Sequence, residues 1–208
     1  MAKALNVNPN RMELSRLKKR LVVAKRGHKL LKDKQDALIK EFLQRARDLK
    51  VLREGVEGEL RGCYQSFLLA RAQSLPAMLE QALLLSSGGM GVGERRKNVM
   101  SVSIPLYTLA ERAAGLTYGL LTSSGSLDVT LEKFEALLPK LIRMAAEEKA
   151  LRLMAKEIEK TRRRVNALEY VLIPSFIETI KNISMKLDEM ERATLGRLMR
   201  IKEIVRSH

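Results

Sequence analysis

The residues that could do chemistry here are few: a single cysteine, Cys63, two histidines, His28 and His208, and a glycine-rich run, Ser86–Gly93, reading S-S-G-G-M-G-V-G. A zinc site needs several Cys or His side chains at close spacing, and these three stand far apart. A lone cysteine cannot form an internal disulfide and fits a reducing compartment. A phosphate-binding loop needs G-x-x-x-x-G-K-[ST], because the lysine meets the β- and γ-phosphates and the hydroxyl meets Mg²⁺. Gly88 and Gly93 have that separation, but Glu94-Arg95 follows, and a carboxylate at the lysine position repels phosphate. There is no G-x-G-x-x-G fingerprint, and no hydrophobic strand leads into the run. Adjacent carboxylates such as Glu147-Glu148 are ordinary on a solvated helix. The chain therefore offers no catalytic, cofactor-binding or metal-binding residues, and is expected neither to be an enzyme nor to bind ATP.

What remains is charge. The 208 residues carry a net +15, unevenly placed. Residues 1–50 hold 15 Lys/Arg against 5 Asp/Glu, residues 51–139 hold 8 against 9, and residues 140–208 hold 16 against 10. Two basic flanks thus enclose a neutral middle, a field that suits nucleic acid, an acidic membrane surface or an acidic protein cavity. Arg162, Arg163 and Arg164 are consecutive, but neighbours on a helix point about 100° apart, so they form no flat patch. Glu159 is placed to pair with Arg163 at i+4. A basic coiled-coil arm binding RNA or DNA is the alternative function. It is disfavoured by the scarcity of stacking rings, four Phe, four Tyr and no Trp. No run of about 18 apolar residues could cross a membrane, and the N-terminus is polar and basic, unlike a signal peptide.

The elements that position these charges are helical. From Leu14 a heptad runs through Leu17, Leu21, Ala24, His28, Leu31, Gln35, Leu38 and Phe42, in alternating steps of three and four. It continues through Leu49, Leu52, Val56 and Cys63, with Arg45 and Glu59 as polar intrusions. His28 reads as a register-setting polar residue on the seam, and Cys63 as a small core residue. Asn8-Pro9, or Asn10 with Glu13, starts this helix. Gly55, Gly58 and Gly62 weaken it, unless another helix approaches closely there. Pro76 predicts a kink or break. A second apolar stripe lies in a helical pattern from about Leu131 to Val205, through Leu151, Met154, Ile158, Thr161, Val165, Leu168, Leu172, Phe176, Ile180, Ile183, Leu187, Met190, Thr194, Leu198, Ile201 and Val205. Two successive four-residue steps form a stutter beside Pro174, which predicts a kink near Ile173. Between the arms, Ser86–Gly93 reads as a flexible loop. Val99–Pro105 reads as a short strand, with Leu116–Thr122 as its hairpin partner, and Asp128 or Thr130 caps the second long helix.

The expected fold is mainly α: a long antiparallel two-helix coiled coil with a small irregular middle containing a short β-hairpin. The N-terminal arm covers 8–85, the middle 86–127 and the C-terminal arm 128–206. Leu14–Leu21 is expected opposite Leu198–Val205.

Two blocks of this sequence resemble a known family. Asn8-Pro9-Asn10-Arg11-Met12-Glu13-Leu14, Leu17-Lys18-Lys19-Arg20-Leu21 and Arg26-Gly27-His28-Lys29-Leu30-Leu31-Lys32-Asp33-Lys34 are similar to the N-terminal signature of the D subunit of V-type/A-type ATPases. Glu159-Lys160-Thr161-Arg162-Arg163-Arg164-Val165-Asn166-Ala167-Leu168-Glu169, followed by Ile173-Pro174, resembles its C-terminal signature. The blocks stand in the family's order and at its distance, and cover both arms; the segment 86–93 matches no family pattern. The resemblance implies a non-catalytic rotor shaft whose paired termini enter a hexameric catalytic head. Its implied partners are the A and B subunits of the head, a small F subunit beside the stalk and a socket subunit of the membrane ring, with no nucleic acid and no cofactor. It also implies a peripheral place on the cytoplasmic side of a membrane. The cations expected to touch partners are Arg11, Arg16, Arg20, Arg162, Arg163, Arg164, Arg192, Arg197, Arg200, Lys202 and Arg206.

Overall fold

The computed structural model describes residues 7–84, 91–110 and 124–206. The elements in chain order are α1 (Arg11–Gln73), α2 (Pro76–Leu84), β1 (Val92–Val99), β2 (Val102–Leu109), α3 (Gly125–Ala167), a π-helical turn (Leu168–Leu172) and α4 (Ile173–Arg206). Asn10 starts α1: its carbonyl accepts from the Leu14 N–H at 2.9 Å, and its side-chain oxygen from the Met12 N–H at 3.4 Å. α1 ends before Ser74-Leu75, and Pro76 opens α2 as its first residue, where a missing N–H costs nothing. Pro76 thus marks a break.

The chain divides into two compact units. One joins α1 up to Ala37 with the run from Ile158 onward; the other is Leu38–Glu157. In the first, α1 lies antiparallel to the returning helix: Arg11 pairs with Glu191, and His28 Nε2 lies 3.4 Å from Glu169 Oε2. These pairs correct the expected register. Arg11 already stands beside Glu191, so Leu14–Leu21 cannot lie opposite Leu198–Val205. The apolar period alone could not reveal this, because a heptad repeat looks the same after a slip of seven residues. Leu17, Thr161, Val165, Ser175, Thr179 and Ile183 are buried in this unit.

In the second unit the same antiparallel order holds. Arg45 reaches Glu147 at 3.1 Å, Lys140 pairs with Glu59, and Lys133 Nζ donates to Ser66 Oγ at 2.6 Å. Two core clusters lie among the described residues here. Val56, Cys63 and Leu137 are packed by Leu52, Leu60, Phe134, Leu141 and Met144, while Ala70, Leu79 and Leu127 are packed by Phe67 and Leu131. The Tyr64 ring meets Phe134 edge-on, with centroids 6.2 Å apart. Cys63 is a core residue as expected. A methyl group added at Gly55, Gly58 or Gly62 would meet nothing within 4 Å, so close helix approach does not explain these glycines.

Every heptad position from Leu14 to Phe42 is buried or half-buried. The second stripe departs from expectation at Pro174. Instead of a bare kink there is a π turn, with the Ile173 N–H donating to Leu168 O five residues back. Proline donates no hydrogen bond and crowds the carbonyl four residues behind it; a wider turn just before it is one way a helix absorbs both. Leu172 is exposed and Phe176 and Ile180 are half-buried, while Ser175 and Thr179 take the buried line; Ile183, on the expected stripe, is buried. The two buried hydroxyls are satisfied along the helix, Ser175 to Leu172 O at 2.9 Å and Thr179 to Ser175 O at 2.6 Å. Pro139 also sits inside α3, on its exposed side.

The middle differs in detail. Val99–Pro105 is not one strand: the chain reverses at Met100 (φ 50°) and Ser101 (φ 71°), and β1 pairs antiparallel with β2 from Val92↔Leu109 to Val99↔Val102. Two successive left-handed residues make the two-residue reversal that matches strand twist. The usual Asn-Gly signal is absent, so the Val/Ser alternation read straight through it. Val92 and Gly93, expected in a loop, belong to β1. A Cβ at Gly93 would stand 2.9 Å from Thr108 Oγ1, so this strand position favours glycine. Leu116–Thr122 lies outside the described residues. α3 begins at Gly125, before the expected caps: Leu127 N–H donates to Ser124 O at 2.9 Å, and Thr130 is already inside the helix, bonded to Ser126 O at 2.8 Å.

Candidate partner-binding surface

Among the described residues no group of His, Cys, Asp and Glu could hold a metal, and no helix is long and apolar enough to cross a membrane. Arg53 beside Glu57 (2.8 Å) has its guanidinium held further above its usual range, first by that hydrogen bond and then by the Glu57 charge. This shift only reinforces an existing charge and supplies no acid or base.

All eleven cations singled out from the sequence lie in the unit formed by α1 up to Ala37 and the run from Ile158, and all are exposed. They do not form one patch. Arg11 pairs across to Glu191, Arg16 with Glu13 on its own helix at 3.3 Å, and Arg163 with Glu159 as expected. Arg20, Arg162, Arg164, Arg192, Arg197, Arg200, Lys202 and Arg206 make no ion pair with a described residue. Arg162–Arg164 precede the π turn by one helical turn. Tyr170, Val171 and Leu172 come after them on the turn itself, and all three are exposed. The exposure of these three large side chains is not anticipated from the sequence, where only the stutter at Pro174 marks the place.

The largest departure is the end of α4. Arg11 is the first residue of α1 and stands beside Glu191, yet α4 runs on to Arg206. At 100° per residue, Leu187, Met190, Thr194, Leu198, Ile201 and Val205 continue the seam stripe. Within this segment the stripe is bare: Leu198, Ile201 and Val205 are 57%, 56% and 70% exposed. An open groove lined by Arg11, Leu187, Met190, Glu191, Thr194 and Leu195 lies where the paired helices give way to this single one. Arg192, Arg200 and Arg206 fall on the other side of the wheel. The segment is amphipathic, with an exposed apolar line and cations around it. The sequence carried this stripe, but the expected register covered it with α1.

Comparison with known proteins agrees with this architecture. The family model for the ATP synthase D subunit matches residues 13–203. The V-type ATP synthase D subunit of Thermoanaerobacter sp. (strain X514) is 52% identical over 203 residues, covering 97% of each chain. That of Clostridium botulinum (strain ATCC 19397 / Type A) is 50% identical over 206 residues, covering 97% of this chain and 95% of the relative. The match spans both helical arms and the hairpin between them, and the chain belongs to the ATP synthase D subunit family.

Proposed function

We propose that this chain is the central-stalk rotor of a rotary V/A-type ATPase. It carries torque between ATP hydrolysis or synthesis in a catalytic head and ion translocation in a membrane ring, and catalyses nothing itself. The observation that carries this reading is the bare apolar stripe of α4 beyond Glu191, ringed by cations that make no ion pair with a described residue. Support comes also from the full-length likeness to chains named as subunits of V-type ATP synthases.

The physics suits a rotor. A shaft inside a three-fold head must be held in three successive positions and trapped in none. Hydrophobic contact is non-directional, so an apolar line can turn against an apolar sleeve without losing specific partners. Charge attraction falls off slowly with distance compared with packing, so Arg192, Arg197, Arg200, Lys202 and Arg206 can be drawn by acidic loops at each position. In this reading the start of α1 near Arg11 and the single helix that runs on to Arg206 enter the head formed by the A and B subunits. Arg16, Arg20 and Arg162–Arg164 face partners along the shaft, among them the small F subunit of the stalk. Residues 86–127 stay outside the head, on the side of the socket subunit and membrane ring. The chain is peripheral, on the cytoplasmic side, and nucleic acid is not a partner.

Reversing Arg197, Arg200, Lys202 and Arg206 to Glu tests the electrostatic part. Co-assembly with purified head subunits is expected to weaken, and the gap between wild type and variant to narrow as added salt screens exposed charges. Equal assembly of both proteins at every ionic strength would remove the role of these cations.

A further inference from the structure

The hairpin's two outer edges are not equivalent. A two-residue reversal makes Val99↔Val102 a hydrogen-bonded pair, and in an antiparallel ladder such pairs alternate with pairs that turn their N–H and C=O groups outward. The Ala110 N–H donating to Gly91 O at 2.8 Å, one step beyond the strands, fits this phase. The outward positions are therefore Val92, Glu94, Arg96 and Asn98 on β1, and Ser103, Pro105, Tyr107 and Leu109 on β2. Pro105 sits in the middle of the β2 edge, at a position where it breaks no ladder bond but removes an outward donor. Proline on an edge strand blocks the addition of a further strand. The β1 edge has no such block. Its four outward residues are exposed, and their backbone groups make no hydrogen bond with a described residue.

The β1 edge also carries charge. Arg95, Arg96 and Lys97 are exposed, and only Glu94, paired with Arg96 at 3.0 Å, offsets them. Cations on a free edge guard it against a second copy, because two β1 strands side by side would set these three residues against their own copies. The same cations attract an acidic strand. We propose that the β1 edge is a docking site for an extended acidic segment of a partner protein, which adds to the hairpin as a third strand. Its backbone would pair with Val92, Glu94, Arg96 and Asn98 and its carboxylates with Arg95 and Lys97, which share one face of the strand. This inference does not depend on the rotor reading.

The test uses the full chain and two fluorescent probes, a short peptide alternating valine and glutamate and one alternating valine and lysine. The glutamate peptide is expected to bind saturably and to protect the amides of Val92, Glu94, Arg96 and Asn98 from hydrogen exchange; the lysine peptide is expected not to bind. Arg96→Pro removes an outward donor without touching the ladder and should lower affinity roughly tenfold, the worth of a hydrogen bond or two. Replacing Arg95, Arg96 and Lys97 together by Glu keeps every backbone group and should reverse the preference to the lysine peptide. That variant keeps the test decisive if Arg96→Pro disturbs the hairpin. The proposal is overturned if the glutamate peptide fails to bind at millimolar concentration, binds without protecting those amides, or binds the charge-reversed chain equally well. Self-association of the chain through the β1 amides would overturn it too, by showing that a second copy is the occupant.

Discussion

Arg45 shows how this seam tolerates polarity. It stands at a position where the heptad wants an apolar residue, and its side chain is largely covered. Its guanidinium donates to Glu41 at 2.9 Å and to Glu147 at 3.1 Å, so the charge is met from its own helix and from the facing one. Elsewhere along the arms His28 faces Glu169 at 3.4 Å, and Glu59, itself exposed, pairs with Lys140. The sequence marked Arg45, Glu59 and His28 as intrusions but could not name their cross-helix partners, since these lie more than eighty residues away. The energy of the seam lies in its buried leucines. Leu17→Ala should cost the isolated chain about 2–5 kcal/mol, the usual range for emptying a buried leucine site. Leu198→Ala removes the same atoms from an exposed site, and should change the isolated chain by no more than about 0.5 kcal/mol. Urea unfolding of the two variants checks the contrast. A large loss for Leu198→Ala in the isolated chain would mean that the stripe of α4 is already covered.

At the scale of elements, the helical arms were legible because a heptad kept over many turns has few other readings. The π turn was legible only as a disturbance. A stutter and a proline told where the helix changes, but not that an extra residue is wound into one turn. The apolar period sets the seam beyond it on Phe176, Ile180 and Ile183; Ile183 is buried, but Ser175 and Thr179 stand in place of the other two, and small polar residues do not look like core. Their hydroxyls qualify because each bonds to a carbonyl of its own helix. The hairpin was misread for a similar reason, since Met100 and Ser101 carry no turn signal although both are left-handed. If the π turn holds one surplus residue, deleting exposed Val171 together with Pro174→Ala should restore a plain α-helix. Both stripes would stay aligned, and stability relative to Pro174→Ala alone should hold or rise. Deleting exposed Lys181 instead turns Ile183 and the rest of α4 by about 100° and should cost roughly 2 kcal/mol or more. Thermal melts compare the two deletions. Equal losses would show that the turn is not a removable insertion.

At the scale of the molecule, composition and charge pointed to a basic helical protein without an active site, and could not choose its partner. The pairing of the arms decides which surface is free. A register that set Leu14–Leu21 against Leu198–Val205 would have hidden the stripe; the Arg11–Glu191 pair leaves it bare. Cysteines at Arg11 and Glu191, in a Cys63→Ala background, should crosslink readily within one chain, whereas cysteines at Leu17 and Leu198 should not. The opposite result would restore the longer overlap and cover the proposed contact surface. The central claim is that this chain turns within a catalytic head, and rotation itself is its most direct test. The complex is reconstituted with the head immobilised and a bead fixed to this chain at an exposed residue of the hairpin. ATP is expected to drive unidirectional rotation of the bead. A chain truncated after Gly196, which lacks Leu198, Ile201, Val205 and the last cations, should lose torque while its hairpin amides stay protected. Steady ATP hydrolysis with the bead stationary relative to the head would contradict the account.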